Sequence, residues 1–255
     1  MSISRRQSLQ GLAAAAAIPQ GALGARRTPG PAIRLVVLDV GGTIVEDRGS
    51  VPETLRNALG HHGVQSTPEE IGRLRGASKR EMVRHFVERQ SLPASVDRDK
   101  LVTSIYDEFT SELIAAYQSV PAIAGAENAI RQLRESGYLV ATTTGFDRSV
   151  TMSIFRRLGW EKYFAAMVCS DDVAQGRPSP FMLFHAMEAA RVNNVAEVVA
   201  AGDTPLDLQA GTNAGLRAVV GVLSGASTAE KLRREPHTHI LPSVANLPAL
   251  LATKL

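Results

Sequence analysis

Five short apolar runs recur along the chain, each closed by polar residues or glycine. They are IRLVVLD (33–39), YLVATTT (138–144), AAMVCS (165–170), EVVAAGD (197–203) and RAVVGVL (217–223). A continuous apolar run of this length predicts a strand buried on both faces. Between the later runs, apolar residues return at helical spacing. GAENAIRQLRESG (125–137) and DRSVTMSIFRRLG (147–159) each end in glycine, with Asp147 placed as an N-cap. SPFMLFHAMEAARV (179–192) and PLDLQAGTNAG (205–215) complete the set. Strands alternating with helices predict right-handed crossovers and a parallel sheet, an α/β fold of the Rossmann-like, doubly wound type.

Residues 50–120 break the alternation. TPEEIGRLRG (67–76) opens with Thr67 and Pro68, SKREMVRHFVERQ (78–90) opens with Ser78, and RDKLVTSIYDEFTSELIAAYQ (98–118) is long and amphipathic. We read 50–120 as a helical insert after the first strand, with 31–49 and 121–255 forming the sheet-based core. His61 and His62 fall at a helix C-terminus, where a capping role is expected.

Residues 1–30 stand apart. SRRQSLQ sets Arg5 and Arg6 ahead of the alanine-rich GLAAAAAIPQGALGA. That pattern is expected of a twin-arginine export signal cut near Gly24 or Ala25, which leads to the periplasm. The plain alternative is a disordered tail on a cytoplasmic protein. The apolar run is too short to span a bilayer, so the mature chain is expected to have no membrane partner. The formal charge is only +3, and no Lys/Arg block follows the leader, so no nucleic-acid partner is expected. Cys169 is the single cysteine, which excludes an internal disulfide and a cysteine metal cluster. In AAMVCS it reads as a small core residue.

In an open parallel sheet, ligands bind beyond the carboxyl ends of the strands. Four polar clusters fall there: Asp39 with GGT, then Thr143-Thr144-Gly145, then GRPSP (176–180), then GDTPLD (202–207). Together they suit phosphoryl transfer. Asp39, Asp203 and a backbone carbonyl near Gly41 supply the hard oxygens that Mg2+ prefers. The second oxygen of Asp39 can act as nucleophile, giving an aspartyl-phosphate. Gly42, Thr43 and Gly145 are candidate phosphate-binding positions. Thr144 offers a hydroxyl and Arg177 a fixed cation for the transferring group. Asp207, four residues past Asp203, is placed to orient a metal-bound water or Arg177. Each cluster also has a plain reading: Asp203-Thr204-Pro205 as a helix N-cap, Arg177 as a surface arginine, Thr143 and Thr144 as strand formers.

These clusters resemble the haloacid dehalogenase superfamily, whose first motif is usually Asp-x-Asp-Gly-Thr, with the second Asp protonating the leaving group. Here the stretch is Asp39-Val40-Gly41-Gly42-Thr43, without that acid. The phosphonatase (phosphonoacetaldehyde hydrolase) branch shares the gap and carries arginine where most members have lysine, as at Arg177. TTTGFDR (142–148) and DDVAQGRPSPFM (171–182) resemble the same branch, and the resemblance runs from about Leu35 to the C-terminus. It implies cleavage of a C–P bond, in which a lysine of the inserted cap forms a Schiff base with the substrate aldehyde and the iminium takes up the electrons. RGASKREMVR (75–84) matches the family segment and points to Lys79, whose pKa must fall through burial or through neighbours such as Arg75 and Arg80. Met82, Phe146 and Arg75 depart from the histidine, tyrosine and methionine that the branch carries. The resemblance also implies cap closure about 46–50 and 121–125, and a homodimer through cap helices. A phosphate monoester phosphatase and a non-catalytic phosphate- or phosphonate-binding protein are the alternatives.

Overall fold

The computed structural model describes residues 32–253; the expected export leader lies outside them. Six strands form one parallel sheet: β1 (Leu35–Leu38), β2 (Leu139–Thr143), β3 (Ala166–Val168), β4 (Val198–Gly202), β5 (Ala218–Val222) and β6 (His239–Leu241). Their order across the sheet is β3-β2-β1-β4-β5-β6. The five strands expected from the apolar runs are all present. The sixth was not foreseen, because its three residues are half-buried at the sheet edge and show no apolar run.

Alternation along each strand sends side chains to two cores. Val36, Leu38, Val140, Val199 and Val220 face one. Leu35, Val37, Ala141, Val198 and Ala200 face the other, under Met182, Leu183, Ala186 and Met187 of α7 (Phe181–Ala189) and Ala210 of α8 (Pro205–Asn213). The first core is covered by α5 (Ala126–Glu135), α6 (Arg148–Leu158) and α10 (Leu247–Ala252), and continues into the insert. Asp147 caps α6 by accepting from the Val150 N–H, as its position suggests. A short α9 (Ala229–Arg233) packs near β6.

The segment between β1 and α5 holds four helices and no strand among its described residues: α1 (Ser50–His61), α2 (Pro68–Arg73), α3 (Lys79–Glu88) and α4 (Arg98–Tyr117). A Thr67–Glu70 capping box starts α2. Leu55, Met82, Phe86, Phe109 and Leu113 fill the space between them. The two chain crossings into this segment lie side by side. Glu46 N–H donates to Pro121 O at 3.0 Å, and Ile123 N–H to Ile44 O at 3.0 Å. Among the described residues, no helix is long and apolar enough to cross a membrane.

His61 closes α1 and His62 is its C-cap, as expected, and both rings also reach across to α4. His61 Nδ1 lies 2.5 Å from Glu108 Oε1, and His62 Nε2 lies 3.0 Å from Glu108 Oε2. The hydrogen bond that His61 donates to Glu108 raises the His61 pKa above its ordinary value, and the same bond lowers that of Glu108. A raised histidine pKa stabilises the fold below the unfolded-state value and ceases to do so as pH rises through the folded one. The Tm advantage of the native chain over Glu108→Gln should therefore be greatest near about pH 6 and fade toward about pH 8, by no more than a few degrees because the pair is exposed. Differential scanning fluorimetry across that range measures it.

Candidate active site

The chain reverses direction across the sheet between β1 and β4, so the crevice beyond their carboxyl ends is the switch point. Leu38 pairs with Ala201, and Asp39 N–H donates to Ala201 O at 2.9 Å. That register sets Asp39 and Asp203 side by side, one residue past each strand. Together with Asp207 in the first turn of α8, they form a buried cluster whose nearest carboxylate oxygens all lie within 4.8 Å of one another.

Arg177 enters this cluster from the loop before α7. Its Nη1 lies 2.8 Å from Asp39 Oδ1 and 2.7 Å from Asp207 Oδ1. Its Nη2 donates to Thr143 O and Oγ1 at 2.8 and 2.9 Å. The surface-arginine reading is thereby excluded; Arg177 is 5% exposed. Asp207 is fully engaged, since its Oδ2 accepts from Thr204 N–H and Oγ1 at 3.0 and 2.5 Å. Thr204 is the α8 N-cap, as the plain reading of that turn has it.

Gly42 (φ 86°) carries the turn after β1, and its N–H donates to Val45 O. A Cβ there would stand 2.5 Å from Asp203 Oδ2, so this glycine makes room for the carboxylate. Asp203 Oδ2 accepts from Ala226 N–H at 2.6 Å; Oδ1 has only a 3.5 Å contact to Thr43 Oγ1. Thr144 is buried and its Oγ1 accepts from Phe146 N–H, leaving the hydroxyl proton to donate elsewhere. Gly41 and Gly145 line the same pocket as Asp39, Lys79, Thr144, Arg177 and Asp203.

Lys79 is the first residue of α3, yet it is only 6% exposed. Its Nζ donates to Ala77 O at 3.1 Å and sits 5.2 Å from the Phe146 ring centroid. Burial, with a further contribution from Arg177, lowers its pKa to about 8 against the opposing pull of Asp39. Arg75 and Arg80 each meet another group. Arg75 Nη1 pairs with Asp47 Oδ2 at 2.8 Å, and Arg80 lies 4.3 Å over the Tyr106 ring.

Main-chain contacts hold the insert against the core here. Lys79 N–H donates to Gly145 O at 3.1 Å, and Gly176 N–H to Glu81 Oε1 at 3.0 Å. A Cβ on Gly145 would overlap the Ala77 carbonyl, and one on Gly76 (φ 87°) would lie 2.5 Å from Thr204 Oγ1.

Burial and the nearby Asp207 raise the Asp39 pKa to about 6, which leaves it mainly ionised at neutral pH. Burial, then Asp39 and Asp207, push Asp203 well up. Three carboxylates set against one guanidinium leave negative charge uncompensated around oxygens of Asp39 and Asp203 that no strong donor holds. That donor set fits a hard divalent cation.

A sequence model of the haloacid dehalogenase-like hydrolases matches residues 36–221. The chain belongs to this family. Curated relatives of the hydrolase include the phosphonoacetaldehyde hydrolase of Bacillus cytotoxicus, 30% identical over 207 residues covering 76% of this chain and 77% of that protein. The Latilactobacillus sakei enzyme of the same name is 27% identical over 208 residues, with the same coverage. Among solved structures, a phosphonoacetaldehyde hydrolase-like protein from Oleispira antarctica superposes with a TM-score of 0.77 at 20% identity, covering 91% and 95% of the two chains. CbbY from Rhodobacter sphaeroides in complex with phosphate gives 0.70 at 21% identity, covering 84% and 96%. At these identities the structural matches speak for the fold, which is the α/β fold the apolar runs predicted.

Two pocket residues escaped the sequence reading. Asp47 and Tyr117 sit in no motif, and an aromatic in an amphipathic helix reads as core. Gly145→Ala should destabilise this hydrolase by about 1–3 kcal/mol through overlap with backbone. Gly72→Ala, where a Cβ meets nothing within 4 Å, should leave stability level or raise it by up to about 1 kcal/mol. Urea unfolding midpoints distinguish the two.

Proposed function

We propose that this hydrolase is Mg2+-dependent and phosphonatase-like, cleaving the C–P bond of a phosphonate aldehyde such as phosphonoacetaldehyde. The observation that carries the reading is the buried Lys79 amine, its pKa lowered to about 8, in the same pocket as Asp39. A solvated lysine at a helix start has no reason to be in that state.

Lys79 condenses with the substrate aldehyde to an imine, which is protonated to the iminium. Asp39 Oδ2, opposite the oxygen that Arg177 holds, attacks phosphorus. The C–P electron pair moves into the iminium to give an enamine, so no acid is needed at Gly41. Arg177 and the Thr144 hydroxyl hold the phosphoryl oxygens, and water then releases phosphate from Asp39. Asp39, Asp203 and the Gly41 carbonyl would hold Mg2+, which offsets the charge of the phosphoryl group. Asp207 keeps Arg177 in place.

The phosphatase alternative differs at Lys79. With phosphonoacetaldehyde, wild type should release acetaldehyde and phosphate, and Lys79→Ala should lose at least about 1,000-fold in kcat/KM. Hydrolysis of phosphate monoesters that Lys79→Ala retains in full, with no acetaldehyde released from phosphonoacetaldehyde by wild type, would favour a phosphatase. Because the neutral amine is the nucleophile, kcat/KM should rise with pH up to about 8 and then level. Asp39→Asn should abolish turnover on every substrate.

A further inference from the structure

The pocket contains a hydroxyl that the scheme above leaves unused. Tyr117 is the last residue of α4 and is 1% exposed. It lines the pocket beside Asp39, Gly41, Lys79 and Phe146. Its ring packs edge-on against Phe146, with centroids 5.2 Å apart and planes at 70°. A Cβ built on Gly41 would stand 3.6 Å from the Tyr117 hydroxyl oxygen and 3.2 Å from Phe146 Cζ. The hydroxyl therefore borders the space where a residue two past Asp39 would extend a side chain.

No described residue hydrogen-bonds to this hydroxyl, although tyrosine normally finds a partner when it is buried. The hydroxyl is nevertheless not among the fully buried unpartnered atoms, so it opens onto the pocket, where a ligand or water can meet it. A phenol keeps its proton at neutral pH, so the hydroxyl can act as a donor. The phosphoryl end of the pocket already has donors in Arg177 and Thr144. Tyr117 shares with Lys79 the Phe146 ring, against which both pack.

We propose that the Tyr117 hydroxyl donates a hydrogen bond to the carbonyl oxygen that Lys79 attacks, making Tyr117 a catalytic residue for imine formation. This rests on the Lys79 reading above. In the step, the Lys79 nitrogen bonds to the carbonyl carbon and the C–O bond breaks. The oxygen leaves as water with the two amine hydrogens. Tyr117 retains its own proton and stabilises the negative charge that builds on the oxygen. The hydroxyl on α4 thus does its work one step earlier than a leaving-group acid would.

The test is trapping of the imine by cyanoborohydride with phosphonoacetaldehyde and Mg2+, read as reduced adduct on Lys79 by mass spectrometry. The full-length chain is used, in an Asp39→Asn background that halts turnover. Tyr117→Phe should slow adduct formation by about 10- to 100-fold while leaving Tm level, since it removes a pocket-facing hydroxyl that has no partner among the described residues. Trapping at the parent rate would overturn the proposal and assign the hydroxyl to an ordered water. So would a loss matched by a clear fall in Tm, which would mark a structural role. Absence of any Lys79 adduct in the parent would instead overturn the Lys79 reading, and this proposal with it.

Discussion

The site depends on one buried guanidinium. Arg177 holds Asp39 and Asp207 with the same nitrogen and anchors its other to Thr143 on β2. Without it, three carboxylates would face each other in a dry crevice, and desolvation with mutual repulsion would keep them protonated. Asp39 already titrates near 6 with Arg177 in place. The guanidinium keeps Asp39 mainly ionised at neutral pH, and its planar fork fixes which oxygen is held and which stays open. The hydrogen bonds from Thr204 to Asp207 make the arrangement rigid from behind.

The second constraint is close approach between insert and core. Backbone of 76–79 lies against Gly145 and Thr204, and Glu81 against Gly176. Glycines at these places let main chain meet main chain, and the resulting seam buries Lys79. Burial depresses its pKa, so the chemistry of the amine is a consequence of how the insert sits. Its position at the start of a helix alone would predict a solvated cation. The paired crossings at 44–46 and 121–123 tie both ends of the insert to one spot.

Much of the fold was legible in the chain. Strands buried on both faces leave unbroken apolar runs, and parallel connections need helices between them, so β1 to β5 and the helices α5 to α8 announced themselves. The half-buried edge strand β6 did not, because an edge position imposes no such pattern. Asp39 and Asp203 were visible because residues just past buried strands have few reasons to be charged, and Arg177 through the family resemblance of its loop. Whether Arg75 and Arg80 act on Lys79 was not legible, because it depends on the partners each finds: Arg75 pairs with Asp47 and Arg80 lies over Tyr106.

By itself, the sequence determined the α/β class and set polar clusters at the strand ends, because these follow from local hydrophobic periodicity and turn residues. Only the tertiary structure decided which charges meet. Arg177 lies 138 residues from Asp39, and Tyr117 approaches Gly41 from a different helix, so their contacts depend on strand order and on the docking of the insert. Burial, hydrogen-bond partners and pKa are set by those long-range neighbours, and no local window of residues contains them.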